Sequence, residues 1–186
     1  QTNAFDWAVR KYDVNGDLDT TWGDSDSGMI TYHSGGLQYD YAQDIALDSS
    51  GNIYVAGKQA ILDDDWAVRK YDANGDLDTT WGESNSGMVT YNSGVGQSDS
   101  ANAIALDLSG NIYVAGHQGT NSWDWAIRKY DNNGDLDTTW GDSDSGMVTY
   151  NSGGLAVDYL TAIAIDASKA IYVAGSQQTN GNDWAV

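Results

Sequence analysis

Oxygen-bearing side chains stand at alternate positions in three places along this chain. Asp13, Asn15, Asp17 and Asp19 form the first set, Asp72, Asn74, Asp76 and Asp78 the second, and Asp131, Asn133, Asp135 and Asp137 the third. Oxygens at positions 1, 3, 5 and 7 open a calcium loop, because a hard divalent cation gathers about six to eight oxygen ligands. The usual loop has Gly at position 6 and a bidentate Glu at position 12. Here Gly is at position 4, and position 12 is Asp24, Glu83 or Asp142. A plainer reading competes. Asn15-Gly16, Asn74-Gly75 and Asn133-Gly134 are dipeptides that suit a tight hairpin turn, and an Asp beside such a turn caps it. A second acidic loop at 24–28 recurs at 83–87 and 142–146 and reads as a solvated turn.

Other chemistry is sparse. Cysteine is absent, which removes disulfides, thiol catalysis and zinc–thiolate sites. His33 and His117 fall in non-equivalent loops and are expected at the surface. No Ser-His-Asp arrangement and no phosphate-cradling glycine loop is present. The polar residues that recur do so in every copy, whereas a catalytic site breaks such symmetry at one spot. An enzyme is therefore not expected. No cofactor is required, and calcium is the one to test for. Of the eight tryptophans, Trp7, Trp22, Trp66, Trp81, Trp125, Trp140 and Trp184 belong to the recurring pattern and read as packing between units. Trp123 stands in a variable connector and is the candidate for an exposed contact with a ligand such as a sugar.

The elements that must position these residues repeat with the same period. Starts at Asp6, Asp65 and Asp124 lie 59 residues apart, and Asp183-Trp184-Ala185-Val186 begins the pattern again. The units are read as 6–64, 65–123 and 124–182, with 1–5 and 183–186 as partial ends; Gln1-Thr2-Asn3 returns as Gln178-Thr179-Asn180. A fixed period of this size signals a repeat architecture. Within the second unit, residues 66–71, 87–91, 101–107 and 112–116 are short, β-branched or aromatic runs bounded by Gly, Asn, Asp and Ser. They read as four strands. With no helical pattern, each unit is expected to form one four-stranded antiparallel sheet. The all-β fold that repeats such sheets is a β-propeller.

The net charge is −19, from 27 acids against 8 bases. Six of the bases form the repeated pairs Arg10/Lys11, Arg69/Lys70 and Arg128/Lys129. A surface this acidic repels nucleic-acid backbones and anionic lipid, so neither partner is expected. No apolar run approaches the ~18 residues needed to span a bilayer as a helix.

The string Tyr71-Asp72 through Leu77-Asp78-Thr79-Thr80-Trp81-Gly82, then Gly87-Met88-Val89-Thr90-Tyr91, then the run from Ala103 through Ile112-Tyr113-Val114-Ala115-Gly116, resembles the bacterial delta-60 repeat. Trp22, Trp81 and Trp140 stand where that family usually has Phe. The Gly-Asn-Ile-Tyr-Val element is also similar to NHL-type propeller blades. The resemblance implies a propeller and a secreted, extracellular or cell-surface setting, and implies no activity.

One departure is local. Gly51 and Gly110 become Lys169 in the third copy. A left-handed Lys is strained by ~1–2 kcal/mol, so the last hairpin is expected to take a different turn or to be poorly ordered. Another departure is global. Propellers close with about four to eight blades, and three blades do not close a ring. The reading is a non-enzymatic structural or adhesive module that joins copies of itself into a ring or a filament. The alternative is a lectin-like propeller that binds glycans, with or without calcium.

Overall fold

The structure is a computed structural model that describes residues 5–35, 39–61, 63–119, 122–153, 156–178 and 182–185. Most of the recurring Gln-Thr-Asn ends lies outside these residues. Strands β1 (Trp7–Arg10) and β2 (Met29–Tyr32) pair as a two-stranded sheet. Strands β3 (Tyr41–Leu47), β4 (Ile53–Ala60), β5 (Asp64–Tyr71) and β6 (Met88–Tyr91) form a four-stranded antiparallel sheet in that order. Strands β7 (Ser100–Leu106), β8 (Ile112–Gly119), β9 (Trp123–Tyr130) and β10 (Met147–Tyr150) form a second. Strands β11 (Tyr159–Ile165), β12 (Ile171–Gln178) and β13 (Asn182–Ala185) form a three-stranded sheet. The first strands β3, β7 and β11 lie side by side, and the sheets fan outward from them. Among the described residues, the sheets do not close into a ring.

The period is the one read from sequence, but the sheets are phased half a copy later. Strands β5 and β6 open the unit 65–123, and β7 and β8 end it, yet β6 does not pair with β7. Each four-stranded sheet instead takes its first two strands from one unit and its last two from the next. Connector length decides this. Between β4 and β5 only residues 61–63 intervene, which is a hairpin, and Ile53 to Ala60 then pair in unbroken register with Tyr71 to Asp64. Between β6 and β7 the longer 92–99 segment carries the chain to the next sheet.

The recurring aromatic and basic residues bind one sheet to the next. Trp7 Nε1 donates to the Lys58 carbonyl (2.9 Å), Trp66 Nε1 to that of His117 (2.7 Å) and Trp125 Nε1 to that of Ser176 (3.2 Å). Trp7, Trp66 and Trp81 are fully buried, and a single core runs between the two complete sheets through Tyr54, Trp66, Val89, Ile104, Val114 and Tyr130. In the Arg-Lys pairs, the two side chains face opposite ways, as strand geometry requires. Lys11, Lys70 and Lys129 pair with Asp19, Asp78 and Asp137 of their own unit. Arg69 and Arg128 instead lie over the rings of Tyr32 and Tyr91 in the preceding sheet, at 3.8 and 4.1 Å from the centroids. A partly desolvated cation–π contact of this kind is worth about 1–2 kcal/mol, more than an exposed ion pair typically contributes.

The turn at Lys169 corrects the expectation. It keeps the geometry of its relatives: Lys169 has φ +69°, against +83° at Gly51 and Gly110. Lys169 N bonds the Asp166 carbonyl at 2.9 Å, as Gly51 N bonds that of Asp48 at 3.1 Å. The Asp166 carboxylate holds the loop by accepting from Ser168 N, Ser168 Oγ and Ala170 N. These bonds pull the Asp166 pKa below the usual carboxylate range, the Ser168 hydroxyl contributing most. The side-chain clamp thus holds a residue where glycine is easier. Lys169→Gly is expected to raise the urea midpoint by the equivalent of about 0.5–1 kcal/mol, the relief of left-handed strain less the added freedom of glycine in the unfolded chain. An unchanged or lower midpoint would show that the Lys169 contacts with Ser109 and Asp107 outweigh the strain.

Candidate functional site

The crossing from one sheet to the next ends in a buried carboxylate. Asp40, Asp99 and Asp158 show no exposure. Asp99 Oδ2 accepts from Ser93 N (2.6 Å), and Oδ1 accepts from Ser93 Oγ (2.8 Å) and Gly119 N (2.7 Å). Its own N–H donates to the Asp64 carbonyl at 2.7 Å. Asp40 makes the same bonds to Ser34 and Ala60, and Asp158 to Ser152 and Gln178. Each clamp ties the start of a first strand to the end of the second, so this end of every sheet has the same frame.

On that frame the copies diverge. Equivalent positions carry Tyr41, Ser100 and Tyr159; Lys58, His117 and Ser176; Asp64, Trp123 and Asn182; Gln43, Asn102 and Thr161; and Tyr39, Ser98 and Val157. The register gathers these positions at one end of the fan: Tyr41 lies opposite Lys58, Ser100 opposite His117, and Trp123 opposite Gly119. Lys58 pairs with Asp64 and lies over the Tyr41 ring at 5.2 Å. Ser98 Oγ donates to Asp64 Oδ2 at 3.2 Å. His117 stacks on Trp123 with centroids 4.8 Å apart, and Tyr159 of the next sheet stands nearly perpendicular to both rings, at 5.8 and 5.1 Å. Asn102 Nδ2 lies 3.3 Å from His117 Nδ1 and donates to the Leu160 carbonyl at 2.8 Å. A cation, a carboxylate, an imidazole, an amide and three aromatic rings thus adjoin across three sheets.

His117 is buried, contrary to the surface position expected from sequence. Strand β8 lies between two partners in the middle sheet, and Trp123 covers the ring. Burial, then the nearby Lys58 charge, lowers its pKa to about 4, so the imidazole is neutral at neutral pH. Trp123 is only partly exposed, as its stacking on His117 requires.

The calcium candidates occupy the hairpin turns. Asp13 Oδ1 accepts from Asn15 N and Asp17 N, and Oδ2 from the Asn15 side chain; Asp72 and Asp131 do the same. The backbone bond from Asp17, then that from Asn15, lowers the Asp13 pKa. Asp19 accepts from Thr21 and pairs with Lys11, which brings its pKa to about 2, with the Thr21 hydroxyl the leading cause. An ion at these turns competes with bonds the chain already makes. The second acidic loops are 3₁₀ turns at Asp24–Asp26, Glu83–Asn85 and Asp142–Asp144. Their first acids accept from the backbone of Thr31, Thr90 and Thr149.

Among the described residues, the acids and histidines with ligand atoms within 4.8 Å of one another are Asp6, His33 and Asp40. The repeat supplies its own control. Asn92 bonds Asp65, and Asn151 bonds Asp124, where His33 meets Asp6. His33 therefore fills a structural asparagine's place, and both Asp40 oxygens already serve the clamp.

A β-propeller repeat model matches residues 30–58 and 89–117, windows one period apart. A second model, a β-propeller domain of unknown function, matches residues 109–139. The chain carries β-propeller repeats. The matches bear out the propeller expected from the recurring strings, without naming the delta-60 group in particular. In propeller terms, the complete sheets are two blades, flanked by a half-blade of outer strands and a blade of three strands. The divergent residues lie at the end of the blades where each first strand begins. No curated protein matches the chain.

Proposed function

We propose that this chain is a non-enzymatic structural or adhesive module that joins copies of itself through the two ends of its blade array. The delta-60 resemblance is what supports an extracellular setting. The observation that carries the assembly is that the two ends are complementary. Sheet β1–β2 has the outer pair of a blade, and β11–β12 has the inner pair. Their exposed apolar residues have buried counterparts within the array: Tyr12 is 53% exposed but Tyr71 5%, and Tyr172 is 56% exposed but Tyr54 3%. Tyr54 meets the edge of Trp81, and Tyr113 that of Trp140; the matching partner for Tyr172 is Trp22 of a second copy. Two grooves mark the uncovered faces. One, of about 380 Å³, is lined by Trp125, Ile127, Val148 and Val173; the other, of about 300 Å³, by Val9, Ala42, Ile45 and Val55.

In this arrangement β12 of one copy receives β1 of the next, completing a blade in the order β11, β12, β1, β2. Strand β13 holds the last positions of β12 in the register that β5 and β9 use, with Gly175 opposite Ala185 as Gly57 is opposite Ala67. Its residues Asp183-Trp184-Ala185 repeat Asp6-Trp7-Ala8. An incoming β1 displaces it and extends the pairing. The same register places Val173 opposite Arg10 of the second copy, as Val55 is opposite Arg69. The chain has no cysteine, so mixing Val173→Cys and Arg10→Cys proteins under oxidation reads the junction directly. The expected result is a disulfide-linked pair on a non-reducing gel, and oligomers that grow with concentration in light scattering of the unaltered chain. A 20 kDa monomer at every concentration, with no cross-link, rejects the assembly.

A further inference from the structure

The end of the fan that bears Lys58, Asp64, His117 and Trp123 does something the repeated frame does not require. Elsewhere the main structural roles keep their residues: the Asp99-type clamp, the Trp66-type bond and the Asp72-type turn each recur, with Lys169 and His33 as the exceptions described above. Here several residues that change between copies meet across blades: Ser98 with Asp64, and Tyr159 with His117 and Trp123.

We propose that this patch binds a neutral oligosaccharide, with Trp123 and Tyr159 as stacking surfaces and Lys58, Asp64 and Asn102 as the groups that fix its hydroxyls. Several observations point to this ligand class. Aromatic rings take the apolar C–H face of a sugar, and mixed donors and acceptors at their rim take its hydroxyls. Tyr159 is 38% exposed, and the Lys58 and Asp64 side chains are 22% and 28% exposed, so both kinds of group reach solvent. Their mutual bond uses one Lys58 proton and one Asp64 oxygen, which leaves further donors and an acceptor. Asn102 is fixed from both sides, its oxygen accepting from Ser100 Oγ at 2.9 Å and its nitrogen donating to the Leu160 carbonyl, so its direction is set before a ligand arrives. The stack of His117 on Trp123 likewise holds the indole. Rings and amides held in place lose little entropy on binding. The chain's charge of −19 disfavours phosphorylated or uronic sugars and leaves neutral ones. All of these residues belong to one chain, so the site exists whether or not copies join.

The test titrates the purified 186-residue protein with maltohexaose, cellohexaose, mannohexaose and chitohexaose, following tryptophan fluorescence and heat. Binding of at least one sugar is expected. Trp123→Ala should weaken it at least tenfold, and Lys58→Gln about threefold to tenfold. Leu108→Ala, in the turn at the other end of β7, should leave it unchanged. Far-UV circular dichroism reports whether each variant is folded. Should Trp123→Ala fail to fold, Tyr159→Ala takes its place, with the same expected loss. Silence toward all four sugars at millimolar concentration overturns the proposal. So does binding that survives both Lys58→Gln and either aromatic substitution.

Discussion

Asp99→Ala is expected to lower stability by about 3–5 kcal/mol, which for a chain of this length moves the thermal midpoint on the order of 10 °C. The carboxylate has no exposure and takes bonds from Ser93 N, Ser93 Oγ and Gly119 N. Alanine removes the carboxylate to which the backbone N–H groups of Ser93 and Gly119 donate. Each unpaired buried donor costs about 1–3 kcal/mol. The hydroxyl suffers less, because its single proton can turn wholly to the Gly119 carbonyl, 2.5 Å from Ser93 Oγ. Asp99→Asn should fall between, since the amide offers one acceptor but turns a donor toward a donor. Asp17→Ala, at an exposed turn position, should stay within about 0.5 kcal/mol of the unaltered protein. Urea unfolding followed by tryptophan fluorescence checks the order. If Asp99→Ala and Asp17→Ala unfold together, the clamp is not what ties β7 to β8. The same substitution also frees the frame under Ser100 and Asn102, so a surviving Asp99→Ala protein should lose sugar affinity along with stability.

Strand positions were legible because they depend on neighbours in sequence. Runs such as Ile112-Tyr113-Val114 between Gly-Asn and Gly read as strands and are strands. Which strands share a sheet was not legible in the same way. It turned on β4 running on to Ala60 and β8 to Gly119, positions whose side chains vary between copies and so resembled loop. Once those strands extend, the remaining connector is too short to be anything but a hairpin. The clamp does leave a trace in sequence: Ser34 and Asp40, Ser93 and Asp99, and Ser152 and Asp158 keep one spacing through a loop in which only the glycine after each Ser is otherwise constant. Trp123 could be singled out because it alone among the tryptophans breaks the pattern. His117 could not, since its burial comes from Trp123 and from Tyr159, a residue of the next blade. The Arg69 and Arg128 contacts with Tyr32 and Tyr91 were hidden for the same reason, lying between sheets whose pairing the sequence does not state.

Gly116→Ala should be a severely damaging single methyl, as should the same change at its equivalents Gly57 and Gly175. A Cβ at this position would lie 1.9 Å from the Ser100 carbonyl oxygen and 3.0 Å from Asn102 N. Both are backbone atoms in a paired strand, so neither can rotate away as a side chain would. The register of β7 on β8 shifts here, between Ala101 and Ala103, and this bulge brings the Ser100 carbonyl in over the glycine. Relief requires the bulge itself to move. That cost exceeds the about 1–3 kcal/mol typical of overpacking, and the variant is expected to unfold at much lower urea or to recover insoluble. Gly110→Ala provides the contrast. Its φ is +83° but its nearest neighbour is the Asn132 Cβ at 3.6 Å, so it carries left-handed strain of ~1–2 kcal/mol and no clash. The expected order is therefore Gly116→Ala far below Gly110→Ala, the reverse of what backbone angles alone would rank. If Gly116→Ala instead unfolds with the unaltered protein, the bulge is absent. The placement of Asn102 beside His117 would fall with it, because the register shift lies at that residue.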